Sequence, residues 1–187
     1  MKAVPGQYHS PQWQPSVALL DRVSATLKQW LLDKGSLTRR LTNLYQGQFY
    51  VEVLEQHWGT PNIDEAKALS LSTRDKVLVR EVILHGAEQP RVYARSIIPS
   101  RSLVGRVRAL TQLGDRPLGA WLFQQPDLRR GAIEVANFSA SNLPLPTTEQ
   151  QAGWGRRSVF YVDDKPLLVC EIFLQSLVDD IERSRQP

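Results

Sequence analysis

Two β-strands and the turn between them can be recognised in residues 76–98, KVLVREVILHGAEQPRVYARSII. Residues 76–84 and 91–98 are rich in Val, Ile and Leu, which favour an extended backbone. The intervening residues 85–89 have the length of a hairpin loop, and Pro99 ends the second run. The sequence therefore predicts a β-hairpin in the middle of the chain.

Further segments outside this hairpin also have the composition of strands, which gives six strands in all. They are residues 48–56, 131–138, 156–162 and 167–174. The last two are joined by Asp-Asp-Lys-Pro at 163–166, a sequence typical of a tight turn. Because short connections join antiparallel strands, the predicted fold is α+β, with a single six-stranded, mostly antiparallel sheet and helices packed on it.

Apolar residues at helical spacing predict helices at the front and in the middle of the chain. Ser16 offers an N-cap to a helix that reaches Leu31, and Ser36 offers one to a helix over residues 37–45. Further helical segments are predicted at residues 102–113, 116–123 and 178–183. We expect one domain spanning residues 1–187, with a flexible arm at 1–15, a surface loop at 139–153 and a tail at 175–187.

The composition excludes several classes of site. Cys170 is the only cysteine, and the three histidines lack the spacing of metal ligands, so no metal site is expected. No apolar run approaches the roughly 20 residues of a membrane helix, and residues 1–15 contain no apolar stretch like that of a secretory signal. A cytoplasmic protein without membrane contact is expected. Nucleotide-binding glycine motifs and the G-x-S-x-G motif of hydrolases are also absent from the sequence.

The arginines of the chain fit more than one kind of partner. The net charge is +4, and arginine pairs occur at 39–40, 129–130 and 156–157. Such a pattern is compatible with nucleic-acid binding, with attraction of a small anion, or with ordinary solvated surface charge. The charges alone do not choose among these.

Two strands each place one charge among large apolar side chains. Residues two apart on a strand share a face, so Arg80 lies in line with Leu78, Val82 and Leu84. Glu171 lies in the same way between Val169 and Phe173, with Leu167 beyond. A buried charge needs a partner. The two residues could form buried ion pairs with each other or with neighbours, or lie exposed on edge strands. Alternatively, they stand at opposite ends of a ligand cavity, where Arg80 would bind a carboxylate and Glu171 would accept a hydrogen bond from a hydroxyl.

The sequence resembles the bacterial chorismate lyase (chorismate pyruvate-lyase) family in ordered blocks over most of the chain. The matching blocks are residues 78–84 (LVREVIL), 94–99 (ARSIIP), 113–119 (LGDRPLG), 122–123 (LF), 154–158 (WGRRS), 165–168 (KPLL) and 171–174 (EIFL). The front of the chain, at residues 30–32 (WLL) and 35–40 (GSLTRR), is also similar.

The resemblance implies an α+β fold with an enclosed site beneath two flaps, and a reaction that needs no cofactor. It implies that chorismate is converted to 4-hydroxybenzoate and pyruvate, at the entry to ubiquinone synthesis, by a monomer. The carboxylate-binding arginine of the family falls on Arg80, and the glutamate that meets the product hydroxyl falls on Glu171. Further product contacts fall on Leu118 and Leu37. The family often has Met at the last position, a change that nearly conserves volume, so we expect that contact to survive.

Two questions stay open at this stage. Glu171 could assist proton transfer or only position the ring, since the ring hydrogen could move directly to the enolpyruvyl methylene. The rival function is a small-molecule sensor, because effector domains of some bacterial transcription regulators resemble chorismate lyase in fold. The loop at 136–153 and both termini are longer than in the family, and the longer loop is expected to alter product release.

Overall fold

The computed structural model describes residues 11–19, 22–138 and 153–184, and it has an α+β architecture built on one antiparallel sheet. The strands, in chain order, are β1 (Gln14–Pro15), β2 (Phe49–Gly59), β3 (Val77–Gly86), β4 (Gln89–Pro99), β5 (Arg129–Arg130), β6 (Glu134–Phe138), β7 (Gly153–Val162) and β8 (Lys165–Phe173). Their order across the sheet is β1-β6-β7-β8-β4-β3-β2, and β5 pairs with β7 outside this path.

The prediction of six strands is wrong, because the described residues form a sheet of eight. The six longer strands all coincide with predicted segments. The two additional strands, β1 and β5, contain two residues each, which is too short for alternation of apolar and polar residues to appear in the sequence. Gln14 and Pro15, which the sequence placed in the arm, pair with Val135 and Glu134 of β6.

Tight turns join two pairs of neighbouring strands, β3 with β4 and β7 with β8. Ala87 and Glu88 both have positive φ between β3 and β4, and Asp163 and Asp164 have the same conformation between β7 and β8. Two consecutive left-handed residues form the turn that matches the twist of paired strands. The predicted loop over 85–89 is therefore shorter in the structure, because Gly86 and Gln89 already pair.

The helices begin at capping residues that the sequence shows only in part. They are α1 (Ala25–Leu31), α2 (Leu37–Tyr45), α3 (Ile63–Leu69), α4 (Leu118–Leu122) and α5 (Gln175–Arg183). Ser36 caps α2 as predicted, with its hydroxyl accepting the Arg39 N–H at 3.2 Å. The first α-helix, however, is capped by Ser24, whereas Ser16 begins a short 3₁₀ segment. The helix expected at 102–113 is likewise a 3₁₀ helix, Gly105–Gln112.

The two faces of the sheet are covered differently. Helices α1, α2 and α5 pack on one face, where Leu31, Leu41 and Leu177 contact Val82 and Phe173. The 3₁₀ helix and α4 cover the other end of this same face. Helix α3 lies on the opposite face. The first face, which carries Arg80 and Glu171, is called the site face below.

None of the helices in the described part of the chain is both long and apolar enough to span a bilayer.

Candidate functional site

Arg80 is a buried cation without an acidic partner. Only 2% of the residue is exposed, on β3, which lies between β4 and the edge strand β2. Its guanidinium donates to the Gln56 side-chain oxygen at 3.1 Å and to the Arg116 carbonyl at 3.3 Å. No carboxylate among residues 11–19, 22–138 and 153–184 approaches it within 4 Å. Burial lowers the pKa of Arg80, and the charge of Asp115 opposes that effect only partly. An anionic ligand would supply the missing counter-charge.

Glu171, by contrast, is held by a guanidinium. The Arg156 Nε lies 2.6 Å from a Glu171 carboxylate oxygen, and Arg156 is 1% exposed. The Nη1 of Arg156 donates to the carbonyls of Trp30 at 2.9 Å and Asp33 at 2.8 Å, with a longer contact of 3.4 Å to Leu31. These bonds fix the direction of the Glu171 carboxylate and tie it to the segment before α2.

The register of the sheet places Arg80 and Glu171 on one face without direct contact. Arg80 pairs with Ser96, which pairs with Val169, and Glu171 lies two residues further along β8 opposite Ala94. With strand spacings of ~4.8 Å and a rise of ~3.4 Å per residue, their Cα atoms are roughly 12 Å apart. The residues between them on β4, Ala94 and Ser96, are small and buried.

A small pocket opens beside Glu171 on this face. Its lining consists of Gly35, Leu37, Gly119, Leu122, Phe123, Arg130, Arg156, Phe160, Val169 and Glu171. The walls are therefore largely apolar, with charged groups at one end, as in many small-ligand sites. Of the four predicted site residues, Leu37 and Glu171 line the pocket, whereas Arg80 and Leu118 are not among its lining residues.

Leu37 and Leu118 are each the first residue of a helix, and the two helix starts lie next to each other. Leu37 begins α2 and Leu118 begins α4. A Cβ on Gly119 would lie 2.6 Å from the Thr38 hydroxyl oxygen, so the two helix starts are in close contact and the absence of a side chain allows it. The N–H groups of a first helical turn have no partners within the helix. Arg80 reaches the same corner through the carbonyl of Arg116, two residues before Leu118.

Sequence reasoning missed Arg156 and Arg130 as parts of the site. Arg130 is partly buried and donates to the Ser158 hydroxyl at 3.0 Å and to the Asp33 carbonyl at 3.1 Å. Burial and the nearby charge of Arg156 lower the pKa of Arg130 to about 10. Splitting residues 153–162 into two faces would have found Arg156, because it lies in line with Trp154, Ser158 and Phe160. The short strand β5 gives no comparable signal for Arg130.

The described residues contain no group of three or more His, Cys, Asp or Glu side chains placed to hold a metal ion. Cys170, on the opposite face from Glu171, is buried, and burial raises the pKa of its thiol well above the ordinary value. The acid–base and binding groups on the site face are therefore arginines and Glu171.

Comparison with known proteins gives a family and a fold. The family model for chorismate lyase matches residues 8–183. A protein of Pseudomonas aeruginosa (strain UCBPP-PA14) named probable chorismate pyruvate-lyase is 44% identical over 160 residues, which cover 86% of this chain and 89% of that protein. A protein of the same name from Halorhodospira halophila is 37% identical over 184 residues, covering 92% of this chain and 95% of that protein.

Among solved structures, the effector domain of PhnF from Mycobacterium smegmatis resembles this chain with a TM-score of 0.55 and 17% identity. The match covers 78% of this chain and 91% of that domain. At this identity the likeness shows a shared fold alone.

Proposed function

Because the chain belongs to the chorismate lyase family, we propose that it cleaves chorismate into 4-hydroxybenzoate and pyruvate, using Arg80 and Glu171. The observation that supports these roles is a buried guanidinium without an acidic partner on the same face as an oriented carboxylate, with small residues between them. A six-membered ring with a carboxylate at one end and a hydroxyl at the other matches that arrangement.

Arg80 is proposed to bind the ring carboxylate. A buried guanidinium that forms hydrogen bonds only with neutral oxygens has unsatisfied charge, and a carboxylate can accept two of its N–H groups. The backbone N–H groups of Leu37 and Leu118, at the starts of α2 and α4, would donate to the same carboxylate. Their leucine side chains would form apolar walls against the ring.

Glu171 is proposed to accept a hydrogen bond from the ring hydroxyl. Arg156 occupies one of its carboxylate oxygens through Nε, which leaves the other oxygen for the ligand. The carbonyls of Trp30 and Asp33 in turn hold Arg156, so the carboxylate is fixed before the substrate arrives.

The reaction breaks the bond between the ring and the ether oxygen and removes the hydrogen from the carbon that carries the hydroxyl. The ring becomes aromatic, and the enolpyruvyl group leaves as pyruvate after its methylene gains a proton. Aromatisation supplies the driving force, so the protein has to hold the dianion in a reactive conformation and stabilise charge at the ether oxygen. Both routes for the hydrogen, through Glu171 or directly to the methylene, start from the same bound geometry.

The direct test is to incubate the purified protein with chorismate and to follow 4-hydroxybenzoate by absorbance and pyruvate by a coupled assay. We expect the two products in equal amounts. The fold shared with the PhnF effector domain makes a small-molecule sensor the second candidate. Tight binding of 4-hydroxybenzoate without any product from chorismate would favour the sensor over the enzyme.

We extend the proposal to the setting of the enzyme. Family membership supports a cytoplasmic monomer that needs no cofactor and feeds ubiquinone synthesis with 4-hydroxybenzoate. Sedimentation at micromolar concentration tests the monomer, and a dimeric mass would contradict it. Activity that persists after dialysis against a chelator tests the independence from metal.

A further inference from the structure

Chorismate carries two carboxylates, and the ring carboxylate uses only one cation of the site. The second carboxylate belongs to the enolpyruvyl group, which is attached to the carbon next to the one with the hydroxyl. If Glu171 binds that hydroxyl, the enolpyruvyl group must lie close to Glu171, at the opposite end of the ring from Arg80. The nearest guanidinium, Arg156, is already neutralised by Glu171 at 2.6 Å.

Arg130 is the other guanidinium at this end of the pocket. It lies on β5 opposite Phe160, and its guanidinium stacks over that ring at 4.9 Å. Its two hydrogen bonds go to neutral oxygens, the hydroxyl of Ser158 and the carbonyl of Asp33. Its Nη2 has no acceptor, and the guanidinium no carboxylate within 4 Å, among the residues whose placement is described.

Arg130 and Arg156 stand side by side. Both donate to the carbonyl oxygen of Asp33, at 3.1 and 2.8 Å respectively. The carboxylate of Asp33 acts on them only at longer range, because its ion pair is with Arg40 at 2.9 Å. Two guanidiniums and the single carboxylate of Glu171 leave one excess positive charge at this end of the pocket. The repulsion from Arg156 contributes to the lowered pKa of Arg130, and a bound anion would relieve it.

We propose that Arg130 binds the enolpyruvyl carboxylate of chorismate and then the carboxylate of the pyruvate formed from it. This assignment rests on the proposed function, since it takes the ring position from Arg80 and Glu171. Arg130 lines both the pocket beside Glu171 and a larger open cleft that includes Lys34 and Tyr161. The Arg130 side chain therefore lies between the pocket, where the ring would bind, and the cleft through which the enolpyruvyl group would leave as pyruvate.

If this assignment is correct, Arg130 contributes to the binding of chorismate but not to the binding of 4-hydroxybenzoate. 4-Hydroxybenzoate lacks the enolpyruvyl group, so it has nothing for Arg130 to bind. In Arg130→Met we expect kcat/KM for chorismate to fall by about 100-fold, because a charge-assisted, bidentate contact is lost. We expect the Kd of 4-hydroxybenzoate, measured by calorimetry, to change less than about threefold.

Two further variants separate charge from structure. Arg129→Met is the matched control, because Arg129 is exposed and forms an ion pair with Asp164 on the surface; we expect wild-type values for both ligands. Arg130→Lys keeps the positive charge and should restore part of the lost kcat/KM. If Arg130→Met fails to fold by its thermal unfolding curve, the ratio of chorismate to 4-hydroxybenzoate binding in Arg130→Lys provides the same comparison.

Failure of the Arg130 assignment and failure of the proposed lyase function would give different results in these experiments. If the wild-type protein forms no 4-hydroxybenzoate from chorismate, the proposed lyase activity is refuted. Chorismate would then remain unreacted, and its Kd could still be measured for wild type and for Arg130→Met. An equal loss of chorismate and 4-hydroxybenzoate binding in Arg130→Met would overturn the assignment and leave Arg130 as a support for the whole pocket. Unchanged kcat/KM would overturn it as well.

Discussion

Arg80 and Arg156 are both buried on the site face, but only the charge of Arg156 is neutralised within the protein. Arg156 has a carboxylate within the protein, Glu171, whereas Arg80 has neutral oxygens from Gln56 and Arg116. A buried charge without a counter-charge reduces stability, and a site that binds an anion accepts that cost. The two arginines should therefore respond to mutation in opposite ways.

Replacing Arg80 with Met should separate binding from stability. We expect the Kd of 4-hydroxybenzoate to rise by about 100-fold or more, because the charge-assisted hydrogen bonds to its carboxylate are lost. The free energy of unfolding, measured in urea, should stay the same or increase, since an uncompensated cation leaves the interior. A strong loss of stability would show that Arg80 serves the fold.

Replacing Arg156 with Met should have the opposite effect on the fold. Glu171 would lose its partner, and the carbonyls of Trp30 and Asp33 would lose a donor. We expect the free energy of unfolding to fall by about 3–5 kcal/mol, as when one partner of a buried pair is removed. The double variant Arg156→Met with Glu171→Leu is the control and should recover most of this loss; no recovery would argue against the ion pair as the cause.

Glu171→Gln tests whether Glu171 acts as a base or only binds the ring hydroxyl. The amide oxygen still accepts a hydrogen bond, so 4-hydroxybenzoate should remain bound, with a Kd higher by about tenfold for the weaker neutral acceptor. We expect kcat for chorismate to fall by several orders of magnitude if Glu171 takes the ring hydrogen as a base. Near-normal kcat would leave Glu171 as a group that positions the ring.

At the scale of elements, the close contact of α2 and α4 shapes the pocket. Gly119 touches Thr38, and a Cβ at position 119 would lie 2.6 Å from the Thr38 hydroxyl oxygen. Gly119→Ala should therefore push the two helix starts apart and weaken 4-hydroxybenzoate binding by about 1–3 kcal/mol. Adding Thr38→Ala removes the clash and should restore binding; a double variant no better than Gly119→Ala would contradict this explanation.

The sequence predicted long elements better than short ones. Strands of nine residues or more, such as β3 and β8, show alternation clearly enough to place Arg80 and Glu171 on apolar faces. Two-residue strands carry no such pattern, and a 3₁₀ helix shares enough spacing with an α-helix to be mistaken for one at 102–113. Arg130 was missed because it lies on one of the shortest strands.

Distances between elements could not be predicted from the sequence. The pairing of Arg156 with Glu171, and the contact of Arg130 with Ser158, depend on the register of β7 against β8 and β5. The tight turn at Asp163–Asp164 sets the register of β7 against β8, whereas that of β5 against β7 depends on packing across the sheet. Local patterns can identify a buried charge, but only the assembled sheet identifies its partner.

At the scale of the whole molecule, α5 closes the core on the site face. Leu177 and Ile181 are buried against α1 and α2, and Asp180 pairs with Arg91 at 2.9 Å and accepts from the Tyr45 hydroxyl at 2.9 Å. Ending the chain after Leu174 should therefore expose this cluster and lower the midpoint of thermal unfolding by 10 °C or more, roughly the effect of losing two buried side chains. Removing residues 185–187 alone is the control and should leave the midpoint unchanged.

The bonds from Arg156 to the carbonyls of Trp30 and Asp33 join parts of the chain that are more than 120 residues apart in sequence. During synthesis on the ribosome, the segment before α2 emerges long before Arg156 and Glu171 are made. The segment that contains α1 and α2 is therefore made before the carboxylate that we propose meets the hydroxyl. If 4-hydroxybenzoate binds as proposed, it can stabilise the protein only after β8 has left the exit tunnel, and it cannot assist the earlier steps of folding.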